Sequence, residues 1–432
     1  MPAVDETAVG TDLEHDLERR DACVDLAGGA PQIEGEIDVL VVGGGPAGTL
    51  TALGLARLGH RTVLCERAPP RRPKCCGQCL NPRVAGILDR FGLLGMVDEL
   101  AVGRTDRFEW RVESRGERGG RPRAPDTPPL PPRRVALEAT RPGWIVRRED
   151  LDERLWHAAV AAGARPLRGV AAHVGPRRDD RREVRLVDAA GASRRVRAQL
   201  VVGADGLGSG VARATGLADG ASVGRKFGFS GAWSASESSR LAGLAAELAA
   251  ELEEGCIHMR SFEGGYLGLV REEDGTVHAA GLVGSRAARR RPQEFLADAL
   301  GLAEAPRLER ATACGPLPWS PRRIAGPGVA LVGDAAGYVE PFTGEGMAWA
   351  IEGAATLVEA IADLGPSTAG LAEYARRRRS IALRQRTCRR LAALLDRPRL
   401  VATAWRMAGR LRLAEAAVAA LGRRVAAELV RV

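Results

Sequence analysis

The chain has 432 residues, 45% of them apolar, with a formal net charge of +9 at pH 7. That length exceeds what one hydrophobic core usually serves, so two joined domains are expected, and the apolar fraction suits a folded globular protein. Of the 63 basic residues only Lys74 and Lys226 are lysine, a skew that reflects codon bias and removes overall basicity as an argument for a nucleic-acid partner.

Residues 1–36 carry ten acids against two arginines and end in Gly28-Gly29-Ala30-Pro31. With no apolar core of its own, this stretch reads as a loosely ordered extension. It lacks a basic start followed by an apolar run, so it is not a secretory signal, and the eight cysteines read as reduced thiols in a cytoplasm.

Ile37-Asp38-Val39-Leu40-Val41-Val42 predicts a buried strand, and Gly43-Gly44-Gly45-Pro46-Ala47-Gly48 a turn into a helix. Such a turn binds a pyrophosphate. Gly43 permits the tight turn, Gly45 the close approach of the phosphates, and Gly48 the close packing of helix on sheet, while the helix N-terminus offers unpaired N–H groups. Eighteen residues after Gly48 the next strand ends in Glu66, followed by Arg67; the Glu66 carboxylate is placed to accept hydrogen bonds from adenosine ribose hydroxyls. Residues 39–56 are eighteen without a charge, but three glycines and a proline inside them argue for strand, turn and helix rather than a membrane span.

Lys74-Cys75-Cys76-Gly77-Gln78-Cys79 contains a Cys-x-x-Cys spacing. No second such pair follows and no histidine is near in sequence, so no metal site is expected, and the segment does not open a thioredoxin-like helix. Residues 80–140 leave the nucleotide fold, with an exposed proline-rich loop at 121–134. Trp144-Ile145-Val146-Arg147 returns to a strand, residues 151–162 predict a helix, and the alternation at 183–187 and 195–197 predicts a half-solvated hairpin. Strands resume from 222 to 284, interrupted by a helix near 240–254. His258 and His278 fall in strands as packing or surface residues, and no Ser–His–Asp set is visible.

Val329-Ala330-Leu331-Val332 predicts another buried strand, ending in Gly333-Asp334, which puts the Asp334 carboxylate within reach of a cofactor hydroxyl. Pro341-Phe342-Thr343-Gly344-Glu345-Gly346 then leads into a second helix at Met347. A helix N-terminus there would stabilise negative charge on a flavin's pyrimidine edge. The two glycine-rich segments together read as the two halves of one FAD site.

On these motifs the chain resembles the p-hydroxybenzoate hydroxylase superfamily, in the branch that holds geranylgeranyl reductases and flavin-dependent halogenases. Val201-Val202-Gly203-Ala204-Asp205-Gly206 resembles the internal Asp-Gly motif, in which Asp205 helps to hold FAD and shapes the nicotinamide approach. Arg148 matches the arginine near the FAD pyrophosphate, and residues 74–82 match the loop over the isoalloxazine ring, which puts Cys76, Gly77 and Pro341 near the ring as candidates for catalysis. The resemblance implies an α/β (α+β) fold: a Rossmann-like FAD-binding domain from 37–80, 144–220 and 322–370, a substrate domain with an inserted antiparallel sheet from 81–143 and 221–321, and a basic helical region at 371–432. It implies an oxidoreductase with FAD as cofactor and NAD(P)H as electron donor. Where geranylgeranyl reductases carry Tyr-x-Trp-x-Phe-Pro, this chain has Gly265-Tyr266-Leu267-Gly268-Leu269-Val270-Arg271, and the halogenase Trp-x-Trp-x-Ile-Pro is absent too. The expectation is therefore a monooxygenase of a lipophilic aromatic or polyketide-like metabolite, with a prenyl-lipid ene reductase as the alternative and a non-catalytic flavin-binding protein as a third. Residues 376–432, with sixteen arginines against three acids, leave two expectations open: helices packed on the FAD domain, or a peripheral contact with an anionic membrane.

Overall fold

The computed structural model describes residues 37–112, 135–234, 252–262, 265–284, 308–340 and 344–395. The acidic extension 1–36, the loop 121–134, nearly all of the helix expected near 240–254, Pro341 and residues 396–432 lie outside these.

Two eight-stranded sheets make up the frame. In the first, the strand Ile37–Val42 lies between Thr62–Glu66 and Ser193–Gly203, parallel to both; Arg165–Arg168 and Val329–Leu331 extend it in parallel on either side. The central strand Ile37–Val42, with residues 200–202 beside it, is an apolar run because both faces are covered. One face carries the helices Pro46–Arg57, Arg148–Ala161 and Gly346–Leu364, with Leu50, Leu53, Leu155, Ile351 and Leu357 in one core. Gly54 lets two of these helices meet closely: a Cβ there would lie 2.6 Å from Val358 Cγ2. The other face is covered by the antiparallel strands Ala171–Arg178 and Arg181–Val187, whose Val184 and Leu186 pack on Leu40, Val42 and Val63.

The second sheet runs, in spatial order, Glu309–Ser320, Ser222–Trp233, Val277–Gly284, Gly265–Arg271, Cys256–Phe262, Ala101–Val112, Val135–Val146 and Cys79–Leu80. All neighbours are antiparallel except Cys256–Phe262 and Ala101–Val112. Residues 79–80 and 144–146, assigned by sequence to the FAD-binding part, pair here with one another. The physical reason is that the segment after the ribose-binding strand crosses directly into the second sheet, and Trp144–Val146 is the inner end of a twelve-residue strand rather than a strand of its own.

The helices Thr368–Arg377 and Arg379–Leu395 pack against Gly346–Leu364. The buried Tyr374 hydroxyl donates to Leu331 O at 2.5 Å, and Gln385 Nε2 donates to Gly337 O at 2.9 Å. Arg376 and Arg377 pair with Glu373, Arg377 also with Asp363, and Arg384 with Glu352. No helix among the described residues is long and apolar enough to cross a membrane.

Candidate functional site

The glycine loop is shaped by backbone contacts. Gly43 has φ +115°, and a Cβ on it would lie 2.2 Å from Ala204 O; on Gly48 a Cβ would lie 1.8 Å from Gly43 O. Gly45 differs in kind: a Cβ there meets only Lys74 Nζ, at 3.7 Å, so its open face borders the cleft. Pro46 takes the first helical position, where its missing N–H costs nothing. Both Glu66 oxygens accept backbone amides, Oε2 from Gly44 at 2.7 Å and Oε1 from Ala68 at 2.8 Å. Glu66 thus braces the loop, and its second lone pairs remain for a hydroxyl.

Beside Gly45 two cations share one carboxylate. Lys74 Nζ lies 2.8 Å from Asp152 Oδ2, and Arg148 holds the same group through Nε at 3.1 Å and Nη2 at 3.2 Å. Burial works against the Asp152 charge, but Arg148 and Lys74 overcome it and hold its carboxyl below the ordinary range. Positive charge is left in surplus where a pyrophosphate would lie. A hollow next to it is lined by the cations Arg71, Arg72, Lys74 and Arg168, by the carboxylates Glu66, Glu149, Asp152 and Glu153, and by Gly44 and Trp156, with the Arg168 guanidinium 4.2 Å from the Trp156 ring centroid. An aromatic face and several cations suit the adenosine diphosphate end of a dinucleotide. Sequence reasoning missed Lys74, Trp156 and Arg168 as members of this end. Arg67 does not join them: it is exposed, because the strand turns Glu66 inward and leaves the next side chain facing solvent.

The second glycine-rich segment closes on the same cleft. Gly333 has φ +58°, and a Cβ on it would be 2.8 Å from Ala47 Cβ, so the two motifs touch. Asp334 is half-buried, and no hydrogen bond to its carboxylate is found among the described residues. Burial pushes it up to about 6, against the pull of Arg148 and Lys74. Gly344, at φ +66°, lies under the 74–82 loop, 3.4 Å from Cys79 Cβ by its own ideal Cβ. The helix start at Gly346 and Met347 is anchored by the buried Glu345, which accepts from Asn81 Nδ2 at 2.8 Å and pairs with Arg83 at 2.5 Å; Arg83 reaches on to Glu352 at 2.6 Å. Burial raises the Glu345 carboxyl, with Arg83 opposing.

Cys76 accepts from Gln78 N–H at 3.3 Å and touches Arg148, and its amide donates to Ser230 Oγ at 3.1 Å. Gly77 stands 3.6 Å, by its ideal Cβ, from Ala280 of the second sheet, so Cys76 and Gly77 lie between the sheets. Asp205 caps its own loop, accepting from Ser209 Oγ at 2.5 Å and Val211 N–H at 3.1 Å. In the second sheet Met259, Tyr266, Leu282 and Leu317 form a buried apolar cluster, packed with Phe108, Leu207, Cys314 and Tyr338. Lys226 and Glu340 pair across the sheets at 2.8 Å.

His258 and His278 are buried, not at the surface, and each meets a carboxylate, Glu109 and Glu272 respectively. Glu109, Cys256 and His258 bring three potential metal ligands within 4.8 Å. His258 Nε2 accepts the Glu253 N–H at 3.1 Å, however. The ring proton is then on Nδ1, turned toward Glu109, and the cluster is a hydrogen-bonded pair with a neighbouring thiol.

The residues present therefore fit FAD: open at Gly45, cationic at Lys74 and Arg148, with an acceptor at Asp334. The family model described as FAD binding domain matches residues 36–263, more than half of the chain. The chain belongs to this family. Its fold is that of the p-hydroxybenzoate hydroxylase superfamily, and the protein is a flavin-dependent oxidoreductase. A menaquinone reductase of Mycobacterium tuberculosis is 29% identical over 395 residues, covering 86% of this chain and 87% of that protein. Aklavinone 12-hydroxylase of Streptomyces peucetius is 49% identical over 67 residues, 15% of this chain and 13% of the hydroxylase. The solved structure of PqsL, a probable FAD-dependent monooxygenase from Pseudomonas aeruginosa, superposes with a TM-score of 0.62 at 20% identity, covering 84% of this chain and 98% of that one; at that identity it shares the fold alone.

Proposed function

We propose that the protein is an FAD-dependent monooxygenase that uses NAD(P)H and O2 to hydroxylate a lipophilic aromatic or polyketide-like metabolite in the cytoplasm. The observation that carries the reading is the cofactor cleft, open at Gly45 and cationic at Lys74 and Arg148, built against a second sheet whose core cluster of Met259, Tyr266, Leu282 and Leu317 is apolar; those surroundings support a lipophilic substrate. When bound, FAD supplies the redox chemistry, oxygen activation or hydride transfer. The chain's own part is to seat the pyrophosphate with Lys74 and Arg148, accept a cofactor hydroxyl at Asp334, and direct the helix start at Gly346 toward the charge that reduction puts on the cofactor.

A second reading, reduction of a double bond in a prenyl-quinone-like lipid, is favoured by the length of the menaquinone reductase match; the hydroxylase match covers only a short stretch. Both readings share every step up to reduction of the cofactor, and oxygen separates them. The holoenzyme is given NADPH and a panel of alkylated phenols, polyketide aromatics and prenyl quinones, in air and under argon. Hydroxylation predicts oxygen uptake matched by a product one oxygen atom heavier, and no conversion under argon. Conversion under argon to a product that stays two hydrogens heavier after reoxidation in air, which returns any quinol to its quinone, rejects the monooxygenase and supports double-bond reduction.

A further inference from the structure

The 74–82 loop and the second sheet each contribute a thiol to one spot. Cys75 lies in the loop, Cys314 in the strand Glu309–Ser320, and the two side chains interact, both sulfurs lying beside Gly228. Gly228, the strand partner of Cys314, makes the room: a Cβ on it would lie 2.8 Å from Cys314 Sγ and 3.4 Å from Cys75 Sγ. Any other residue at 228 would push a side chain between the sulfurs. Around them are polar groups, Ser230 in contact with Cys75 and hydrogen-bonded to Thr312 at 2.9 Å. The neighbouring cysteines are engaged differently. Cys79 donates to Gly77 O at 3.3 Å and Cys76 accepts from Gln78 N–H at 3.3 Å, each within its own loop.

We propose that Cys75 and Cys314 are a peroxide-oxidisable dithiol whose disulfide cross-links the cofactor loop to the substrate sheet. The pair is polarised for this. The interaction with Cys75 draws the Cys314 thiol below its ordinary value, and the same interaction, together with burial, pushes Cys75 up. Cys314 is thus the nucleophile and Cys75 the proton-bearing partner. The oxidant is hydrogen peroxide. The Cys314 thiolate attacks one peroxide oxygen, the O–O bond breaks, and the departing hydroxide takes a proton to leave as water, giving a sulfenic acid. Cys75 sulfur then attacks Cys314 sulfur, the S–O bond breaks, and the hydroxyl leaves as water with the Cys75 proton. In sum, two thiols and one peroxide give one disulfide and two waters. Because Lys74 and Cys76 flank Cys75, the cross-link fixes the segment that borders Gly45.

The test uses the flavin-loaded full chain, reduced and then exposed to graded hydrogen peroxide, alkylated, digested and mapped by mass spectrometry. The expected result is loss of two of the eight thiols, one linked peptide pair joining Cys75 to Cys314, and full return on treatment with dithiothreitol. In C75S, dimedone should trap a sulfenic acid on Cys314; in C314S, Cys75 should stay unmodified under the same dose. Bound-flavin absorbance shows that each variant is folded, and the wild-type map stands without them. A Cys76–Cys79 link, oxidation confined to any other cysteine, or eight intact thiols after peroxide overturns the proposal.

Discussion

Replacing Asp334 by Asn should stabilise the apoprotein while weakening its hold on FAD, and the two effects should have opposite signs only above about pH 6. The carboxylate is sunk in the cleft floor with no described hydrogen-bond donor, and burial pushes it from an ordinary 3.8 to about 6. In the unfolded chain it titrates at its ordinary value, so between these two the unfolded state is charged and the folded state is not. The folded pKa is raised. Its contribution to stability is therefore fully present below 3.8 and lost as the pH rises through 6. A shift of about two units corresponds to roughly 3 kcal/mol, which Asn, of the same shape and without the charge, should recover at neutral pH. In the holoprotein a hydroxyl donating to the carboxylate favours its charged form, so wild-type FAD affinity should tighten from pH 5 to 7 and D334N should show no such slope. Urea unfolding of both apoproteins at pH 4, 6 and 8, with FAD titrations followed by flavin fluorescence, measures the two quantities. An Asn variant less stable than wild type at pH 8, or a stability difference equal at pH 4 and 8, would refute the assignment of Asp334 as a buried acceptor awaiting a donor.

Two further substitutions separate shaping residues from binding residues. Gly45→Ala should fold normally, since its Cβ meets only Lys74 Nζ at 3.7 Å, yet lose FAD affinity tenfold or more, about 1.4 kcal/mol; Gly48→Ala, with a Cβ 1.8 Å from Gly43 O, should lower the apoprotein's melting temperature as well. Equal behaviour of the two in thermal melts and FAD titrations would contradict the geometry. Lys74→Met should weaken FAD binding by the worth of one charge-assisted hydrogen bond, about 1.5–3 kcal/mol before solvent discounts it, and the loss should shrink in high salt; retention of full affinity at low salt would remove Lys74 from the phosphate seat.

What was legible in the sequence was local. Gly43 and Gly48 are required by backbone contacts within a few residues or with the adjacent strand, and the apolar run Ile37–Val42 reports a strand buried on both faces, so the turn between sheet and helix could be located without coordinates. Gly333 was legible through its own left-handed backbone, φ +58°, at the end of an apolar strand, ahead of the helix that starts at Gly346. Contacts made at long sequence separation left no such trace. Trp156 lines the adenosine end because the helix Arg148–Ala161 crosses beside Glu66, and Arg168 because its strand pairs with that of Glu66, and nothing in their spacing says so. Trp144 was grouped with the FAD-binding part for a similar reason: a strand shows its alternation but not its partners, and here the partners are Ala101–Val112 and the two-residue strand Cys79–Leu80, both of the second sheet. The basic C-terminal stretch was ambiguous because arginines look alike in sequence whether paired or solvated. Up to residue 390 the structure pairs Arg376, Arg377 and Arg384 with acids of its own fold, partners that the sequence alone does not show.

The two lysines show what a biased composition can still carry. Where nearly every cation is arginine, a lysine marks a position at which the planar, five-donor guanidinium is the wrong shape. Lys74 stands over Gly45, the one loop glycine left open for a cofactor, and reaches Asp152 with a single ammonium. Lys226 sits among the bulged pairings of the second sheet and meets Glu340 just ahead of Pro341, again a point contact in a confined place. A codon bias towards arginine acts on the whole chain alike, so the sites that resist it are those where the geometry of the charge, rather than its sign, is under constraint.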